Sequence, residues 1–387
     1  MTATAGSKNN ANRTFTADVA VIGAGPGGST AAKNCAKHGL HTILLEKAKT
    51  PRYKCCLRRF PDNMTRTLIA SEYGPTPDWV LTDPPAIFYL ARGMSPTEYG
   101  KEPELEPQLC PHMFSTECDY WMNLKAQQAG AEIWDEALVT HIDEEPDGVT
   151  VLLNRKGEKQ RIKARYLVGA DGAMSTTRKC LFPNLNPPTL AALQEFYPGS
   201  MSPLDRKYTY TFQFDPPQKD MFHIVHKKNC FHIDVDASAR PVRESMALAK
   251  KTMSKMWGFD PDTKPLWSAG TVMVLLLGEV LSGKFVPARG NILLVGEAAS
   301  LEKPSDVGRV GGAEIWFGGG GVGLAVKTGI LAAQAIKTAA DTSAKAADVY
   351  VPKFEQVASV IREMASNLHA IRKGNWREHD KYLDRLI

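Results

Sequence analysis

The chain has 387 residues, which is enough to bury a large core and favours two joined domains or one large domain. Hydrophobic residues make up 43% and charged residues 23%, as in ordinary globular proteins. The net charge is only +5 and no lysine- and arginine-rich run occurs, which argues against a nucleic-acid partner. The seven cysteines contain no C-x-x-C pair, so neither a disulfide framework nor a metal site is predicted.

Two features bear on the location of the protein. Residues 1–15 are largely polar and lack the apolar core of a secretory signal, so we expect a disordered tail there. The longest purely apolar run, Val272–Leu277, is far shorter than the roughly 20 residues that span a bilayer, so no transmembrane segment is predicted. A cytoplasmic protein with reduced thiols fits these features.

The first predicted unit is a strand, a glycine-rich turn, a helix and a second strand. Ala17–Ile22 is a short strand rich in β-branched residues, Ser29–Lys37 is a helix of mostly small residues, and His41–Leu45 is an apolar strand closed by Glu46. This order is that of one βαβ unit, so the sheet is predicted to begin parallel.

The next part of the chain is less regular. The proline-rich stretch Lys47–Pro111 has poor periodicity, which suits an excursion into a second domain. A helix is predicted over residues 115–129. Glu132–Lys163 alternates like a small antiparallel sheet, with turns at Pro146–Gly148 and at Lys156-Gly157, and the strand Tyr166–Gly169 follows it.

The rest of the chain is predicted to form a platform, a return to the first sheet, and terminal helices. The platform, residues 190–285, has strands at Tyr208–Phe214, Phe222–Asp236 and Thr271–Leu277 and a helix at Val242–Trp257. The return consists of the buried strand Asn291–Val295 and the alanine-rich helix Val322–Ala340. Residues 346–387 have the pattern of helices broken near Gly374.

The turn after the first strand has the spacing Gly-x-Gly-x-x-Gly. Gly23 permits the tight turn, Gly25 lets the backbone approach a pyrophosphate, and Gly28 lets the helix close on the strand. The pyrophosphate then lies on the helix N-terminus, and Glu46 at the end of the second strand accepts hydrogen bonds from a ribose. The pattern predicts a dinucleotide but does not distinguish NAD from FAD.

Two later segments resemble fingerprints of one flavoprotein superfamily. Tyr166–Arg178 runs from an apolar strand into Gly-Ala-Asp-Gly and then Ser and Arg, which resembles the second fingerprint of the p-hydroxybenzoate hydroxylase-like flavoproteins. The resemblance implies a contact to the flavin pyrophosphate region. Gly290–Ala299, with Pro304 at the spacing the family uses, is similar to the segment that binds the flavin ribityl chain. Together these resemblances imply that the cofactor is FAD.

Within that superfamily the resemblance is strongest to geranylgeranyl reductase-like enzymes. Pro51–Cys56 looks like their segment after the second strand, and Gly319–Gly329 is similar to their helix start. The implied fold is α/β, with a Rossmann-like FAD-binding domain interleaved with a mixed or antiparallel-sheet substrate domain, followed by C-terminal helices. The expected boundaries are 16–83, 111–187 and 286–345 for the FAD-binding domain, 84–110 and 188–285 for the substrate domain, and 346–387 for the helices.

The motifs and the resemblance together indicate which residues hold the FAD. They are Gly23, Gly25, Pro26, Gly27, Gly28, Glu46, Lys47, Arg52, Asp171, Gly172, Gly296, Glu297, Gly320, Gly321 and Val322. The reductant stays open, with NAD(P)H and an electron-donor protein as the options, because no second dinucleotide fingerprint is present to dock a nicotinamide.

Three departures from the family pattern concern the site itself. Glu297 stands where the family has the shorter Asp, and Leu57-Arg58-Arg59 replace the glycines that usually follow the family's cysteine. The family's aromatic and proline substrate motif is missing from the segment Met221–His226. The expected substrate is therefore an apolar or aromatic small molecule, and the resemblance does not extend to the prenyl-chain motif.

The candidates for catalysis lie in two places. Cys56 aligns with the family cysteine that faces the flavin, although a buried, inert thiol is the commoner role of a single cysteine. Ser305–Gly318 is an insertion relative to the family, and it is either a lid over the flavin or a surface loop without a role. Its candidate residues are Arg309, Glu314 and Trp316.

Three functions share this fold, and the fold does not choose among them. The first is a reductase or dehydrogenase that passes a hydride between flavin N5 and a carbon–carbon double bond of an apolar or conjugated substrate. The second is an aromatic-type monooxygenase, in which reduced flavin reacts with oxygen to give a hydroperoxide. The third is a flavoprotein that relays electrons without a substrate of its own. Halogenation is disfavoured because no Trp-x-Trp-x-Ile-Pro segment occurs.

Overall fold

The structure is a computed structural model that describes residues 13–58, 60, 62–82, 86–88, 108–110, 112–206, 209–213, 221–237, 240–310, 313–368 and 376–387. The strands are β1 (Arg13–Ile22), β2 (Thr42–Leu45), β3 (Ala86–Phe88), β4 (Gln108–Cys110), β5 (Glu132–Trp134), β6 (Ala137–Glu145), β7 (Gly148–Arg155), β8 (Glu158–Gly169), β9 (Thr189–Pro198), β10 (Thr209–Gln213), β11 (Met221–Lys227), β12 (Cys230–Ala237), β13 (Trp267–Val274), β14 (Ala288–Arg289), β15 (Ile292–Leu294), β16 (Lys303–Val310) and β17 (Ala313–Gly319).

The helices of the described residues are α1 (Pro26–Lys37), α2 (Asn63–Tyr73), α3 (Ser115–Gln128), α4 (Thr176–Leu181), α5 (Val242–Trp257), α6 (Leu277–Leu281), α7 (Gly321–Thr342), α8 (Ala346–Ser366) and α9 (Trp376–Leu383). Among these ranges no helix combines the length and the apolar character that crossing a bilayer requires.

The larger sheet is parallel where it carries the glycine-rich turn. Its strand order is β14-β15-β8-β1-β2-β5, in which β15, β8, β1, β2 and β5 run parallel, while β6 and β7 extend β8 as an antiparallel meander. Val19–Ile22 and Tyr166–Gly169 are buried throughout, without alternation. Strands covered by helices on both faces show this pattern, and the α/β Rossmann-like fold expected from the sequence is confirmed.

Strand β1 begins earlier than expected. Arg13–Phe15 pair in register with Gln160–Ile162 of β8, so these residues belong to the sheet and not to a tail. The Phe15 ring packs edge-on against Trp134 at 4.8 Å between centroids. The aromatic contact and the added backbone hydrogen bonds offset the entropy of ordering this extension.

The second sheet is antiparallel, with the strand order β10-β11-β12-β9-β13, and its two faces differ. On one face Tyr197, Phe222 and Ile233 pack with Met246 and Met253 of α5 in a separate apolar core. We call the opposite face the inner face. By strand register and alternation, its residues are Gln194, Phe196, Thr209, His223, Val225, Lys227, His232, Asp234 and Trp267.

The C-terminal helix α8 belongs to the core of the larger sheet. Its Tyr350 is fully buried, and the Tyr350 hydroxyl donates a hydrogen bond to the Leu294 carbonyl of β15 at 2.8 Å. Phe354 and Ile361, one and three helical turns further on, lie in the same apolar cluster as Val19 of β1. The helix therefore buttresses the edge of the sheet on which the third nucleotide motif lies.

Other elements also differ from the sequence-based prediction, and the strand expected over Phe222–Asp236 is two paired strands, β11 and β12. The strand expected over Thr271–Leu277 runs over Trp267–Val274, and Leu277 begins α6. An unbroken apolar run has no periodicity that marks where the strand ends. The stretch expected to be irregular contains α2, whose N-cap Asp62 accepts a hydrogen bond from the Thr65 amide at 2.8 Å. An aspartate directly before residues with a helical apolar spacing is the N-cap signal that predicts this helix.

Candidate functional site

Four parallel strands of the larger sheet end at one edge, and a predicted site residue follows each of them. Strand β1 leads to Gly23, β2 to Glu46, β8 to Asp171 and β15 to Glu297. Neighbouring ends are joined by backbone hydrogen bonds, for example from the Gly23 amide to the Leu45 carbonyl at 2.7 Å. In open parallel sheets, ligands bind outside the carboxyl ends of the strands, so this edge is the candidate site.

The glycine-rich turn is tightly packed at its two ends and open in its middle. Gly23 has a φ of +100°, and a Cβ there would collide with the Ala170 carbonyl, while a Cβ on Gly28 would collide with the Gly23 carbonyl. Gly25 has an ordinary φ of −82°, and a Cβ there would meet no atom within 4 Å. Gly25 is also the N-cap of α1, which has no side-chain cap. The open space beside uncapped helix amides fits a pyrophosphate.

Glu46 follows β2, is only 4% exposed, and is held from three sides. Its Oε2 accepts hydrogen bonds from the Ala24 amide (3.2 Å) and from the Arg52 guanidinium (3.2 and 3.3 Å), and its Oε1 accepts from the Ala48 amide (3.1 Å). Arg52 also pairs with Asp119 of α3 at 2.6 Å. Burial opposes the charge of Arg52, but Asp119 and then Glu46 raise its pKa. Arg52 thus orients the carboxylate that is predicted to receive the ribose.

Asp171 acts on the turn that follows β8. Its Oδ2 accepts hydrogen bonds from the Thr177 amide (3.0 Å) and hydroxyl (3.2 Å), and its Oδ1 accepts from the Ser175 hydroxyl (2.5 Å). Ser175 caps α4 by accepting from the Arg178 amide at 2.8 Å. The carboxylate therefore fixes the backbone of the turn, where Gly172 has a φ of +75° and faces Glu297.

A carboxylate pair lies at the end of β15. Glu297 Oε2 accepts a hydrogen bond from Lys54 Nζ at 3.0 Å, and this carboxylate raises the pKa of Lys54. Glu302 is partly buried, and its Cγ lies 4.0 Å from the position that a Cβ on Gly321 would take. Burial and then the Glu297 carboxylate raise the pKa of Glu302 to about 8. Glu302 is therefore mostly protonated at neutral pH, beside a carboxylate that is paired with lysine.

The N-terminus of α7 lies at the same edge. Gly320 is its N-cap, with a φ of 61° and no side-chain cap, and Gly321 and Val322 begin the helix. The Thr328 hydroxyl, two turns into α7, accepts a hydrogen bond from the Gly296 amide at 3.0 Å, which fixes the helix against the third motif. The first amides of a 22-residue helix carry partial positive charge, which suits an electron-rich ligand edge.

The insertion that was expected to be a loop is a β-hairpin. Strands β16 and β17 pair in antiparallel register, with Arg309 opposite Glu314, and lie against α6 and α8. Lys303, the first residue of β16, forms a buried ion pair with Asp62 at 2.7 Å. The third candidate of the hairpin, Trp316, lies on β17. The two glycines between these strands, Gly311 and Gly312, lie outside the described residues.

Residues 52–58 lie between the strand ends and the inner face of the second sheet. Arg52 and Lys54 reach toward the nucleotide edge, where they pair with carboxylates. Tyr53 points the other way, since its hydroxyl donates to Gln194 and its ring packs edge-on against Trp267 at 4.1 Å between centroids. Alternate side chains of this segment thus contact the two sheets.

Lys227 of β11 joins the inner face to the same segment. Its buried Nζ donates hydrogen bonds to the Leu57 carbonyl (2.7 Å) and to the Met113 carbonyl (2.9 Å). Burial lowers the pKa of Lys227 to about 8, although the nearby Cys56 opposes this shift. The structure therefore brings the candidate Cys56, which is partly buried, close to a cation at the junction of the two sheets.

Two family models match the chain. One, described as an FAD binding domain, matches residues 92–186, and one described as an NAD(P)-binding Rossmann-like domain matches residues 21–75. The solved structure of a geranylgeranyl bacteriochlorophyll reductase-like protein from Thermoplasma acidophilum superposes with a TM-score of 0.69 at 20% identity, and the match covers 96% of this chain and 92% of that chain. These matches show that the chain contains an FAD-binding, Rossmann-like region and shares the fold of that protein.

Curated relatives of the chain carry reductase names. The geranylgeranyl diphosphate reductase of Rhodobacter capsulatus is 33% identical over 42% of this chain and 39% of its own length. The digeranylgeranylglycerophospholipid reductase 1 of Methanopyrus kandleri is 28% identical over 88% of this chain and 86% of its own length. The chain spans about two fifths of the length of the first curated relatives that it matches.

The residues at this edge of the sheet fit an FAD cofactor. The open space at Gly25 and the uncapped starts of α1 and α7 suit a phosphate and an electron-rich ring edge, and Glu46 offers a buried acceptor. Lys47, which was predicted to bind FAD, is exposed and follows Glu46 away from the core. Sequence reasoning missed Lys54, Asp119 and Glu302. A carboxylate inside the apolar stripe of α3, at Asp119, was the one available signal.

Proposed function

We propose that the protein is an FAD-dependent reductase or dehydrogenase that moves a hydride between flavin N5 and a carbon–carbon double bond of an apolar or conjugated substrate. The observation that carries this proposal is the convergence of all three nucleotide motifs at one sheet edge, with residues 52–58 linking that edge to the inner face of a second sheet. Curated relatives whose names describe the reduction of geranylgeranyl compounds support the choice of reaction.

The residues of the chain bind and orient the reactants in this proposal. When bound, the flavin supplies the two-electron chemistry. The amides of α1 bind the pyrophosphate, Glu46 accepts the ribose hydroxyls, and the amides of α7 face the pyrimidine edge. The ion pair between Lys54 and Glu297 and the hydrogen bonds of Lys227 set the spacing between the nucleotide edge and the inner face. The second sheet then excludes water from the space between them.

The finer parts of the function belong to the same proposal. The substrate is a small apolar or aromatic molecule, the electrons come from NAD(P)H or from a donor protein, and the enzyme works in the cytoplasm without a nucleic-acid partner. Cys56 lines the substrate space, because it shares the junction of residues 52–58 with Lys227. Arg309, Glu314 and Trp316 of the hairpin border the site.

An anaerobic rapid-mixing experiment tests the reaction class. The purified flavoprotein is reduced with dithionite, or with NADPH or NADH, and mixed with geranylgeranyl diphosphate, with a conjugated alkene, or with oxygen. Flavin reoxidation by an alkene in the absence of oxygen, with formation of the saturated product, is the expected result. A transient hydroperoxide band after mixing with oxygen, with no reaction of either alkene, would identify a monooxygenase. Reoxidation by added electron-transfer proteins alone would identify an electron relay.

A further inference from the structure

A row of stacked rings crosses the inner face of the second sheet. Trp267, Phe196 and His232 are cross-strand neighbours on β13, β9 and β12. The Phe196 ring stacks on Trp267 at 4.0 Å and on His232 at 4.8 Å between centroids. Tyr53, from the segment that reaches the nucleotide edge, closes the row from the side. The ring faces cover one another, so the row presents ring edges, and ring edges pack well against the face of a flat conjugated molecule.

His232 is the polar member of this row, and its nitrogens lack partners among the described residues. Its relative exposure is 0%, and within the described part of the chain neither Nδ1 nor Nε2 has a hydrogen-bond partner. Burial and then the charge of Lys227 hold the pKa of His232 well below its usual range, so the ring is neutral, with one donor and one acceptor nitrogen. Buried polar groups are nearly always paired in proteins, so this imidazole calls for a partner from a ligand.

A second orphaned group lies in the same row. The Thr209 hydroxyl of β10 is fully buried and also has no hydrogen-bond partner among the described residues. The register places Thr209 opposite Val225 and Val225 opposite His232. The two groups are therefore about 10 Å apart, two strand spacings along one face. A ligand lying along the row meets a polar group at two points on an otherwise apolar and aromatic surface.

The charges around His232 balance, which indicates a neutral ligand. Lys227 is the nearby cation, and the Asp234 carboxylate on the neighbouring row interacts with it. Arg58, the other buried cation of this junction, pairs with Asp119 at 2.7 Å. An anion on the inner face would compete with Asp234, whereas a neutral oxygen acceptor needs only the donor nitrogen of His232.

We propose that the inner face binds the oxygen-bearing end of a neutral conjugated carbonyl compound, an enone or a quinone, with the His232 imidazole donating a hydrogen bond to the carbonyl oxygen. This assignment rests on the proposed reductase function and names its substrate class. An isolated prenyl double bond offers no hydrogen-bond acceptor and would leave both nitrogens of the imidazole unpaired. A carbonyl group pairs the donor, and its conjugated plane lies along the stacked rings.

The hydrogen bond has a direct chemical use in such a substrate. A hydride added to the carbon β to the carbonyl forms a carbon–hydrogen bond, and the electron pair of the carbon–carbon double bond moves so that negative charge develops on the oxygen. The donor nitrogen of His232 stabilises that charge where it develops. A proton then adds to the α carbon and restores the carbonyl. The hydride would come from the reduced flavin and the proton from solvent, so the carbon–carbon double bond gains two hydrogens and two electrons.

A matched pair of ligands and a matched pair of variants test this assignment. Benzylideneacetone is an enone, and its analogue with a =CH2 group in place of the carbonyl oxygen has nearly the same planar shape but no hydrogen-bond acceptor. Both are titrated into the oxidised holoenzyme, and binding is followed by the change in flavin absorbance. We expect the enone to bind about tenfold more tightly, which is the worth of one buried hydrogen bond. His232→Phe keeps the ring stack, removes both nitrogens and should abolish the preference while raising the Tm.

His226→Phe is the control, because His226 lies on the opposite face of the same sheet and its Nε2 accepts from the Met201 amide at 3.0 Å. It should lower the Tm and keep the preference for the enone. Equal binding of both ligands by the unaltered protein, or loss of both ligands together in His232→Phe, would overturn the assignment. If the enone is preferred but no alkene reoxidises the reduced flavin, the reductase function fails, while the role of His232 as a hydrogen-bond donor to the carbonyl oxygen stands.

Discussion

Gly25 and Gly28 belong to one motif, yet their surroundings differ. Gly25 has a backbone that any residue adopts and open space beside it, whereas a Cβ on Gly28 would collide with the Gly23 carbonyl. We therefore expect Gly25→Val to leave the Tm of the FAD-free protein unchanged and to abolish FAD binding, because the side chain fills the space of the pyrophosphate. We expect Gly28→Ala to cost the FAD-free protein about 1–3 kcal/mol, as overpacking does.

Thermal melting of the FAD-free variants and flavin fluorescence titrations measure the two effects separately. Gly39→Val is a further control for FAD binding, because this glycine lies in open space away from the carboxyl ends of the strands. Its φ of +78° adds backbone strain to the variant, so the control concerns FAD affinity and not the Tm. A large loss of stability in FAD-free Gly25→Val, comparable with that of Gly28→Ala, would contradict the assignment of open space beside Gly25 to a ligand.

Glu302 gives the protein a characteristic dependence of stability on pH. Its pKa is raised from 4.5 in the unfolded chain to about 8 in the folded protein, first by burial and then by Glu297. Between these values the folded state binds more protons than the unfolded state, so stability falls as the pH rises. The contribution is fully present below about pH 4.5 and is lost as the pH passes through about 8. Glu302→Gln removes the titrating group.

We expect the stability of the unaltered protein, relative to Glu302→Gln, to decline from pH 5 to pH 8 and to level off above that, as the pKa of about 8 requires. Urea unfolding at a series of pH values, without FAD, measures this difference. Glu136→Gln is a control, since Glu136 is exposed. Parallel pH profiles for the unaltered protein and Glu302→Gln would show that Glu302 is ionised in the folded state.

The bounds of helices and strands are predicted well from the sequence where the apolar residues follow a single helical or strand period. The helix expected over Val242–Trp257 has those bounds in the structure, because an apolar stripe and the following Gly258 mark its face and its end. The strand after β12 was placed too late, because an apolar run marks no end. The β16–β17 hairpin was missed, although Gly311-Gly312 between two alternating segments is a hairpin signal.

The hairpin form of the insertion sharpens the lid hypothesis. Because the two strands are paired and lie against α6 and α8, any movement of the hairpin is expected to be that of one unit. The ion pair between Lys303 and Asp62 anchors the base of the hairpin. We expect deletion of Val307–Phe317, with a short glycine join, to leave FAD bound, because the nucleotide motifs lie elsewhere. We expect it to change alkene turnover or the rate at which oxygen consumes the reduced flavin.

FAD content and stopped-flow kinetics of the deletion variant check this expectation. Replacing the same residues by a designed hairpin of equal length, with a Gly-Gly turn but alanine at Arg309, Glu314 and Trp316, separates shape from side chains. Unchanged kinetics in both variants would leave the hairpin without a role at the site, and the substrate contacts would then come from the inner face alone.

At the scale of the whole molecule, the nucleotide edge was predictable and the junction was not. Each nucleotide motif is short and local, so its strand, turn and helix can be recognised from adjacent residues. The junction depends on pairs distant in sequence, such as Tyr53 with Gln194 and Lys227 with Leu57. The spacing of residues within one sequence does not indicate which distant residues will form such pairs. The role of His232 likewise depends on its burial and on the lack of a hydrogen-bond partner among the described residues, and only the assembled fold reveals both.

The arrangement of two cores and one linking segment leads us to expect that FAD binding stabilises the whole fold. The residues predicted to hold FAD come from all parts of the larger sheet, and residues 52–58 join them to the second sheet. FAD at a hundredfold excess over its Kd should therefore stabilise the fold by about 2.7 kcal/mol. ADP should stabilise it in part, because Gly25 and Glu46 serve the adenosine diphosphate half, and FMN should have little effect.

Hydrogen exchange read by mass spectrometry with FAD, ADP, FMN or no ligand shows how far this stabilisation extends. We expect FAD to slow exchange in β1 and β2 and also in β9 and β12, because fixing Lys54 and Arg52 also fixes Tyr53 against Gln194. Tyr53→Phe removes that hydrogen bond and should confine the protection largely to the larger sheet. Protection limited to β1 and β2 in the unaltered protein would mean that the two sheets bind their ligands independently. Protection by FMN equal to that by FAD would contradict the assignment of the glycine-rich turn to the adenosine diphosphate moiety.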